Sequence, residues 1–290
     1  MPPGTVDCRI TVEICWIVHT CSREAVAGLV IYKTASPIIM AESSKAGPGA
    51  GWRILWAIGT ALLVQVLVLA AATMPVLMGW LALANATTDR PLARAVAFSL
   101  AVAPSYAVFA LLLMGASAAS TRLLGWKSPP DAEMPLDRVG WPLLGWVRYM
   151  VAIHVVRVFA GLLLKGSPLW TAYLRLAGAR LGRRVYVNSL AVSDYNLLEF
   201  GDGVVIGADV HIAGHTVERG TVKTARVRLG RNVLIGIGSV IDIGVEAGDG
   251  CHIAALSFVP KYMKLEAGAT YAGTPVRRVD TGAPRSRPPA

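Results

Sequence analysis

The sequence predicts a two-part chain, a membrane-embedded set of α-helices followed by an all-β solenoid, and three observations carry that reading. Residues 229–276 count in sixes. Two long, almost uncharged runs precede them, at 54–83 and 95–116. Apolar residues make up 54% of the chain and charged residues only 16%, and mean hydropathy is positive, a balance that suits a bilayer better than a large soluble core.

The hexads come first because they fix the second half of the chain. Aliphatic or aromatic residues recur at Leu229, Ile235, Ile241, Ile253, Val259, Leu265 and Tyr271, with Ala247 filling the fourth place. The following position is small or acidic at Gly230, Gly236, Asp242, Gly248, Ala254, Glu266 and Ala272; Pro260 is the exception. A period of six matches neither the helical 3.6 nor simple strand alternation. It suits short strands separated by tight corners and stacked as a solenoid, three hexads to a triangular coil. The same register runs upstream through Phe200, Ile206 and Ile212, and more faintly through Leu181 and Val187. It breaks over Glu218–Arg228, which predicts a loop thrown out from one corner.

This pattern, closed by Tyr271-Ala-Gly-Thr-Pro-Val-Arg277, resembles the hexapeptide-repeat acyltransferases. The resemblance implies a left-handed parallel β-helix of about four coils. Handedness comes from the resemblance alone, since ordinary parallel crossovers are right-handed.

The apolar runs give the first half. Ile54–Leu83 contains one strongly polar residue, Gln65, and is long enough to cross a bilayer with tilt. Pro75 is expected to kink it. Ala95–Ala116, containing Pro104, reads as a second crossing. Lys45 and Arg53 before the pair, with Arg122, Lys127 and Arg138 after it, outnumber Arg90 and Arg94 between, which places both flanks in the cytoplasm. Trp141–Leu164 is apolar but carries Arg148, His154 and Arg157, and His154, Arg157 and Lys165 fall within an arc of about 80°. It is expected to lie in the interface as an amphipathic helix, a third crossing being the rival. Residues 168–178 read as another short amphipathic helix. The expected organisation is an N-terminal extension and linker over 1–51, two transmembrane helices over 52–120, a linker with interfacial helices over 121–180, the β-helix over 181–279 and a disordered tail over 280–290. Residues 1–39 show no pattern, and translation is expected to begin at Met40.

A net charge of +10 would suggest nucleic acid in a soluble protein. Here the basic residues flank apolar runs, so anionic lipid headgroups are the expected partner and nucleic acid is not. Cys8, Cys15, Cys21 and Cys251 have neither disulfide-framework nor zinc spacing.

The run Gly166-Ser-Pro-Leu-Trp-Thr-Ala-Tyr-Leu-Arg-Leu-Ala-Gly-Ala-Arg-Leu-Gly182, followed by Val192-Ser-Asp-Tyr-Asn-Leu-Leu-Glu-Phe-Gly-Asp-Gly203, is similar to the C-terminal region of nonribosomal peptide synthetases of the ε-poly-L-lysine-synthetase type. There, membrane helices accompany acyltransferase-like domains thought to form the peptide bond. The resemblance covers about residues 90–279, with no adenylation or carrier domain alongside. It implies a membrane-bound acyl or aminoacyl transferase that draws on acetyl-CoA or a phosphopantetheine-bound acyl donor, with a carrier protein or synthetase, or a homotrimer, as partner. A non-catalytic scaffold that docks a synthetase at the membrane fits the same features.

Acyl transfer to an amine or hydroxyl needs a base, and imidazole suits that task at neutral pH. His215, in Ala-Gly-His-Thr-Val just before the register break, stands where the resembling families carry theirs. Asp194 fits an orienter of that base, a receptor for a substrate amine or a turn cap. Glu218 fits an orienter or plain loop charge, and Asn188 and Arg226 are weaker candidates. The resemblance places the donor against Gly236, Gly238, Ala254, Ala255 and Lys261. His211 and His252, with His215, supply the three imidazoles a catalytic zinc takes. The pair precedes the lone histidine, the reverse of the γ-carbonic-anhydrase order, and no metal is expected.

Overall fold

A computed structural model describes residues 50–279. The expectations for residues 1–39, Met40 and the tail at 280–290 lie outside the described residues.

Helices α1 (Ala50–Ala86) and α2 (Pro91–Leu123) contain the two apolar runs, with Pro75 and Pro104 inside them. A short turn joins them, and Trp80 meets Phe98 edge-on at 5.0 Å beside it. The residues buried in this part are mostly small, among them Ala57, Ala61, Ala72, Ala110 and Ala118, while Leu62, Val66, Leu77, Leu81 and Leu100 face outward. Small residues let helix backbones approach closely, and outward leucines suit lipid. Helix α3 runs from Trp141–Val156 through a π turn at Arg157–Gly161 to Leu162–Leu164. It is the third helix long and apolar enough to cross a membrane, by length and composition. Helix α4 (Pro168–Leu176) starts where Ser167 Oγ accepts from Trp170 N at 3.2 Å, with proline in its first turn. It buries Trp170, Thr171, Tyr173 and Leu174 and leaves Leu169 and Leu176 exposed, the amphipathic face expected of it.

The hexads fold into a three-sided β-helix. One face stacks Arg180–Leu181, Leu198–Phe200, Val227–Leu229, Glu246–Ala247 and Lys264–Leu265 in parallel. The second stacks Tyr186–Val187, Val205–Ile206, Leu234–Ile235, His252–Ile253 and Thr270–Gly273, and the third stacks His211–Ile212, Val240–Ile241 and Phe258–Val259. Ile235 pairs with Ile253 and Ile241 with Val259, eighteen residues apart, as three hexads per coil require. Every hexad leader from Phe200 to Tyr271 is buried in the shaft. One continuous apolar core joins that shaft to the helices. Outside, Arg180, Glu199, Arg228, Glu246 and Lys264 alternate in charge up the first face, linked at 2.7 to 3.5 Å. Such exposed pairs are worth little singly.

The register break is a β-hairpin, not an irregular loop. His215–Glu218 pairs antiparallel with Thr221–Thr224 around Arg219-Gly220, both at positive φ, as tight hairpins favour. Glu133–Pro135 of the α2–α3 connection adds a third strand. The insertion explains the lost phase, because Phe200 pairs with Leu229, twenty-nine residues on. It also separates the histidines weighed as metal ligands. His211 lies on the third face and His252 on the second, whereas counting residues 223–228 as a degenerate hexad would put both on one face.

Corners between strands tolerate little bulk. A Cβ on Gly236 would lie 2.3 Å from Ala255 N and 2.7 Å from Ala254 C. Gly236→Ala is therefore expected to destabilise the coil by about 1–3 kcal/mol, read as a lower thermal midpoint of the detergent-purified protein.

Candidate active site

His215 leaves the third face at the corner where the hairpin begins. Asp194 approaches it from the first coil, two residues after the Val192–Ile212 bridge. Its backbone is left-handed (φ 50°), a conformation Asp tolerates better than most residues. Leu197 N then donates to Asp194 O at 2.7 Å, opening the 3₁₀ turn Tyr195–Leu197. Gly214 makes the approach possible, since a Cβ there would sit 2.5 Å from Asp194 Cβ.

The Asp194 carboxylate is fully buried and accepts four hydrogen bonds. Its Oδ2 lies 2.5 Å from His215 Nδ1 and accepts from Ser193 Oγ at 2.9 Å. Its Oδ1 accepts from Ser128 Oγ at 2.5 Å and from Trp146 Nε1 at 3.0 Å. Ser128 is itself held, because Asn196 Nδ2 donates to its carbonyl at 2.7 Å and Asn196 Oδ1 accepts from its N–H at 3.1 Å. The Trp146 ring meets the imidazole edge-on at 5.0 Å.

Electrostatics set the protons. Burial pushes the Asp194 carboxyl up, but the neighbouring His215 charge and the bonds from His215, Ser128 and Ser193 outweigh it and hold it below its ordinary value. Burial, with Arg157 as the last and smallest cause, lowers His215, and Asp194 more than compensates, so the imidazole ends above its ordinary value. An ionised Asp194 can only accept. Neutral His215 therefore carries its proton on Nδ1 and leaves Nε2 as the basic atom. A quarter of the side chain remains accessible.

The structure thus brings together two of the named residues, His215 and Asp194. Glu218 stands at the far end of the hairpin strand and pairs with Lys261, whose Nζ also reaches Thr216 Oγ1 at 3.2 Å and Asp242 at 3.9 Å. Gly236, Gly238, Ala254 and Ala255 lie at the corner between the second and third faces, beside the exposed side chains of Ile237 and Leu256. The amides of Gly236, Gly238 and Ala254 are spent on Ile253 O, Ala208 O and Tyr271 O, so those three residues offer no spare backbone donors. Arg226 is paired with Glu199 at 3.3 Å. Among the described residues no group of three His, Cys, Asp or Glu is arranged for a metal ion. Ser128, Trp146, Ser193 and Asn196 escaped sequence reasoning; only Ser193 and Asn196, flanking Asp194 in the irregular stretch, had a positional signal.

No family model matches the sequence. Over 141 residues, 48% of this chain, it is 27% identical to a curated protein of Acinetobacter baumannii (strain AB307-0294). The chain is similar to a delta-poly-L-ornithine synthetase. It spans 11% of that synthetase's length. Similar solved structures include a hexapeptide-repeat acetyltransferase of Vibrio cholerae O1 biovar eltor complexed with acetyl coenzyme A (22% identity, TM-score 0.33, covering 35% of this chain and 59% of that one). A maltose O-acetyltransferase of Clostridium difficile 630 matches at 21% identity and TM-score 0.36, over 46% of this chain and 86% of its own. A galactoside acetyltransferase in complex with coenzyme A matches at 24% and 0.32, over 38% and 68%. The resemblances read from the sequence are to hexapeptide-repeat acyltransferases and to synthetases of the ε-poly-L-lysine type; the matches include hexapeptide-repeat acetyltransferases and a related synthetase-type protein, the poly-L-ornithine synthetase.

Proposed function

We propose that this chain transfers an acyl or aminoacyl group from a thioester to an amine or hydroxyl, with His215 as base and Asp194 as its orienter. The single observation that carries the reading is the buried Asp194 carboxylate 2.5 Å from Nδ1 of a partly exposed His215. In the proposed step the acceptor's nitrogen or oxygen attacks the thioester carbonyl carbon while Nε2 takes its proton. The carbon–sulfur bond then breaks, and the leaving thiolate recovers that proton from the imidazolium. Asp194 stays ionised throughout and stabilises the transient cation. The donor is coenzyme A or carrier-bound phosphopantetheine, whose arm is proposed to lie against Gly236, Gly238, Ala254 and Ala255, with Lys261 beyond it. The chain is proposed to be membrane-anchored, with a cytoplasmic left-handed β-helix that works beside a carrier protein or synthetase or as a trimer.

The helix geometry supports two crossings rather than three. Helix α3 touches the β-helix from Trp146 (Asp194) through Arg157 (Val192 O, 2.7 Å) to Gly161, whose neighbour is Leu190. A helix joined to a hydrated coil along that length is not surrounded by lipid. Helices α1 and α2, at 37 and 33 residues, exceed the roughly 20 that a bilayer core needs.

The test incubates the detergent-purified chain with acetyl-CoA and, separately, with an aminoacyl-loaded carrier protein, and follows released thiol. His215-dependent release from acetyl-CoA makes it a stand-alone transferase, and release only from the carrier makes it a condensing component. No release with either supports the scaffold instead.

A further inference from the structure

We propose that the His215–Asp194 pair is completed by the helical part of the chain. Trp146 of α3 and Ser128 of the α2–α3 connection act as positioning residues for the Asp194 carboxylate, so the base is aligned only where those segments are docked on the first coil. The inference rests on the acyl-transfer reading of His215 and adds what controls its alignment.

The four bonds to Asp194 divide by origin. Both donors to Oδ2, Ser193 and His215, belong to the β-helix. Both donors to Oδ1, Ser128 and Trp146, come from outside it. A β-helix without its helical partner would leave Oδ1 without either of its protein donors and the carboxylate free to rotate. That rotation would carry Oδ2 away from His215 Nδ1. Trp146 acts twice, because its N–H holds Asp194 while its ring edge abuts the imidazole.

Helix α3 is built to transmit displacement. Tyr149 OH donates to Ala177 O at 2.8 Å, and Arg157 Nη2 donates to Val192 O at 2.7 Å. With Trp146 these residues share one face of the helix. Toward α1 and α2, Arg148 Nε donates to Ala57 O at 3.4 Å and Tyr106 OH to Phe159 O at 3.0 Å. A shift of α1 or α2 against the coil therefore reaches Asp194 through Trp146 of α3 and Ser128 of the α2–α3 connection. The charged groups that act on His215 are Asp194 from the first coil and Arg157 from α3, with the Tyr149 and Tyr195 phenols near Asp194 and Tyr173, respectively. Glu218 and Lys261 close on each other at the far end of the hairpin strand.

The experiment compares full-length Trp146→Phe and Ser128→Ala with the parent in detergent, each checked for unchanged gel-filtration elution and near-UV dichroism. The first readout is the His215 titration, followed by the ring Cε1 carbon resonance of histidine-labelled protein; there are five histidines, and His215→Ala assigns the signal. It needs no substrate. The second is thiol release from whichever thioester the parent uses. Each variant removes one of the two donors to Oδ1, which leaves the carboxylate more basic toward His215, so both should titrate His215 at higher pH than the parent. Turnover should fall about tenfold from misalignment, with KM for the thioester unchanged. Unchanged titration and turnover in both variants, with His215→Ala inactive, would overturn the inference and leave the acyl-transfer reading intact. Full activity in His215→Ala would sink that reading instead, and the titration would still decide alignment. Should Trp146→Phe fail to assemble, Ser128→Ala, which removes one oxygen, carries the test.

Discussion

His215→Ala is expected to lower thiol release by about 10²–10⁴-fold, the range a positioned general base supplies. KM for the thioester should hold, because the imidazole acts on the acceptor's proton and not on the donor's tail. Assembly should also hold, since the side chain is partly exposed and Asp194 retains its bonds from Ser193, Ser128 and Trp146. The parent's pH profile follows from the same contacts. Only neutral His215 accepts a proton, and Asp194 holds its protonated form above the ordinary value of 6.5. Turnover should therefore rise with pH through a midpoint above 6.5 and then level off. Unchanged release in the variant, from every donor the parent uses, removes His215 from the chemistry.

What the sequence made legible was what repeats locally. Leaders spaced by six fill a shaft whatever the rest of the chain does, so Leu229 to Tyr271 could be placed without long-range knowledge. The hairpin was legible only as lost phase, and the third strand of its sheet, Glu133–Pro135, lies more than eighty residues before the strand it joins. The site divides in the same way. His215 stood out because it adjoins the break, and Asp194 because its stretch is irregular. Ser128 and Trp146 reach Asp194 across 66 and 48 residues, from segments whose composition speaks only of a linker and an apolar helix. Glu218 and Lys261 were named for separate tasks, and nothing in their spacing shows that they close on each other. For α3, periodicity found the polar arc of His154, Arg157 and Lys165, but nothing in the sequence showed that Arg157 reaches Val192 of the first coil.

Asp194→Asn separates orientation from simple charge. Trp146 Nε1–H can only donate, so the carboxamide oxygen of the variant stays on the side that Oδ1 occupies. The carboxamide nitrogen then takes the place of Oδ2 and offers N–H groups to His215 Nδ1. The Ser193 hydroxyl can turn and accept, but the imidazole can meet a donor only by exposing a lone pair on Nδ1 and carrying its proton on Nε2. That is the wrong nitrogen for a base, and turnover should fall by up to about 10⁴-fold, as when an orienting carboxylate is lost with geometry intact. The titration should move as well. Without the anion, burial and Arg157 both act downward, so the His215 midpoint should drop below 6.5, opposite to Trp146→Phe. Stability follows by linkage. The depressed Asp194 contributes above its ordinary 3.8 and is lost as pH falls through its folded value; the raised His215 contributes below 6.5 and is lost as pH rises through its folded value. The variant should be less stable than the parent by about 1–3 kcal/mol, with the gap widest between pH 3.8 and 6.5 and narrowing on either side. A gap independent of pH, measured by denaturant unfolding at several pH values, would mean that the pair is not charged in the folded protein.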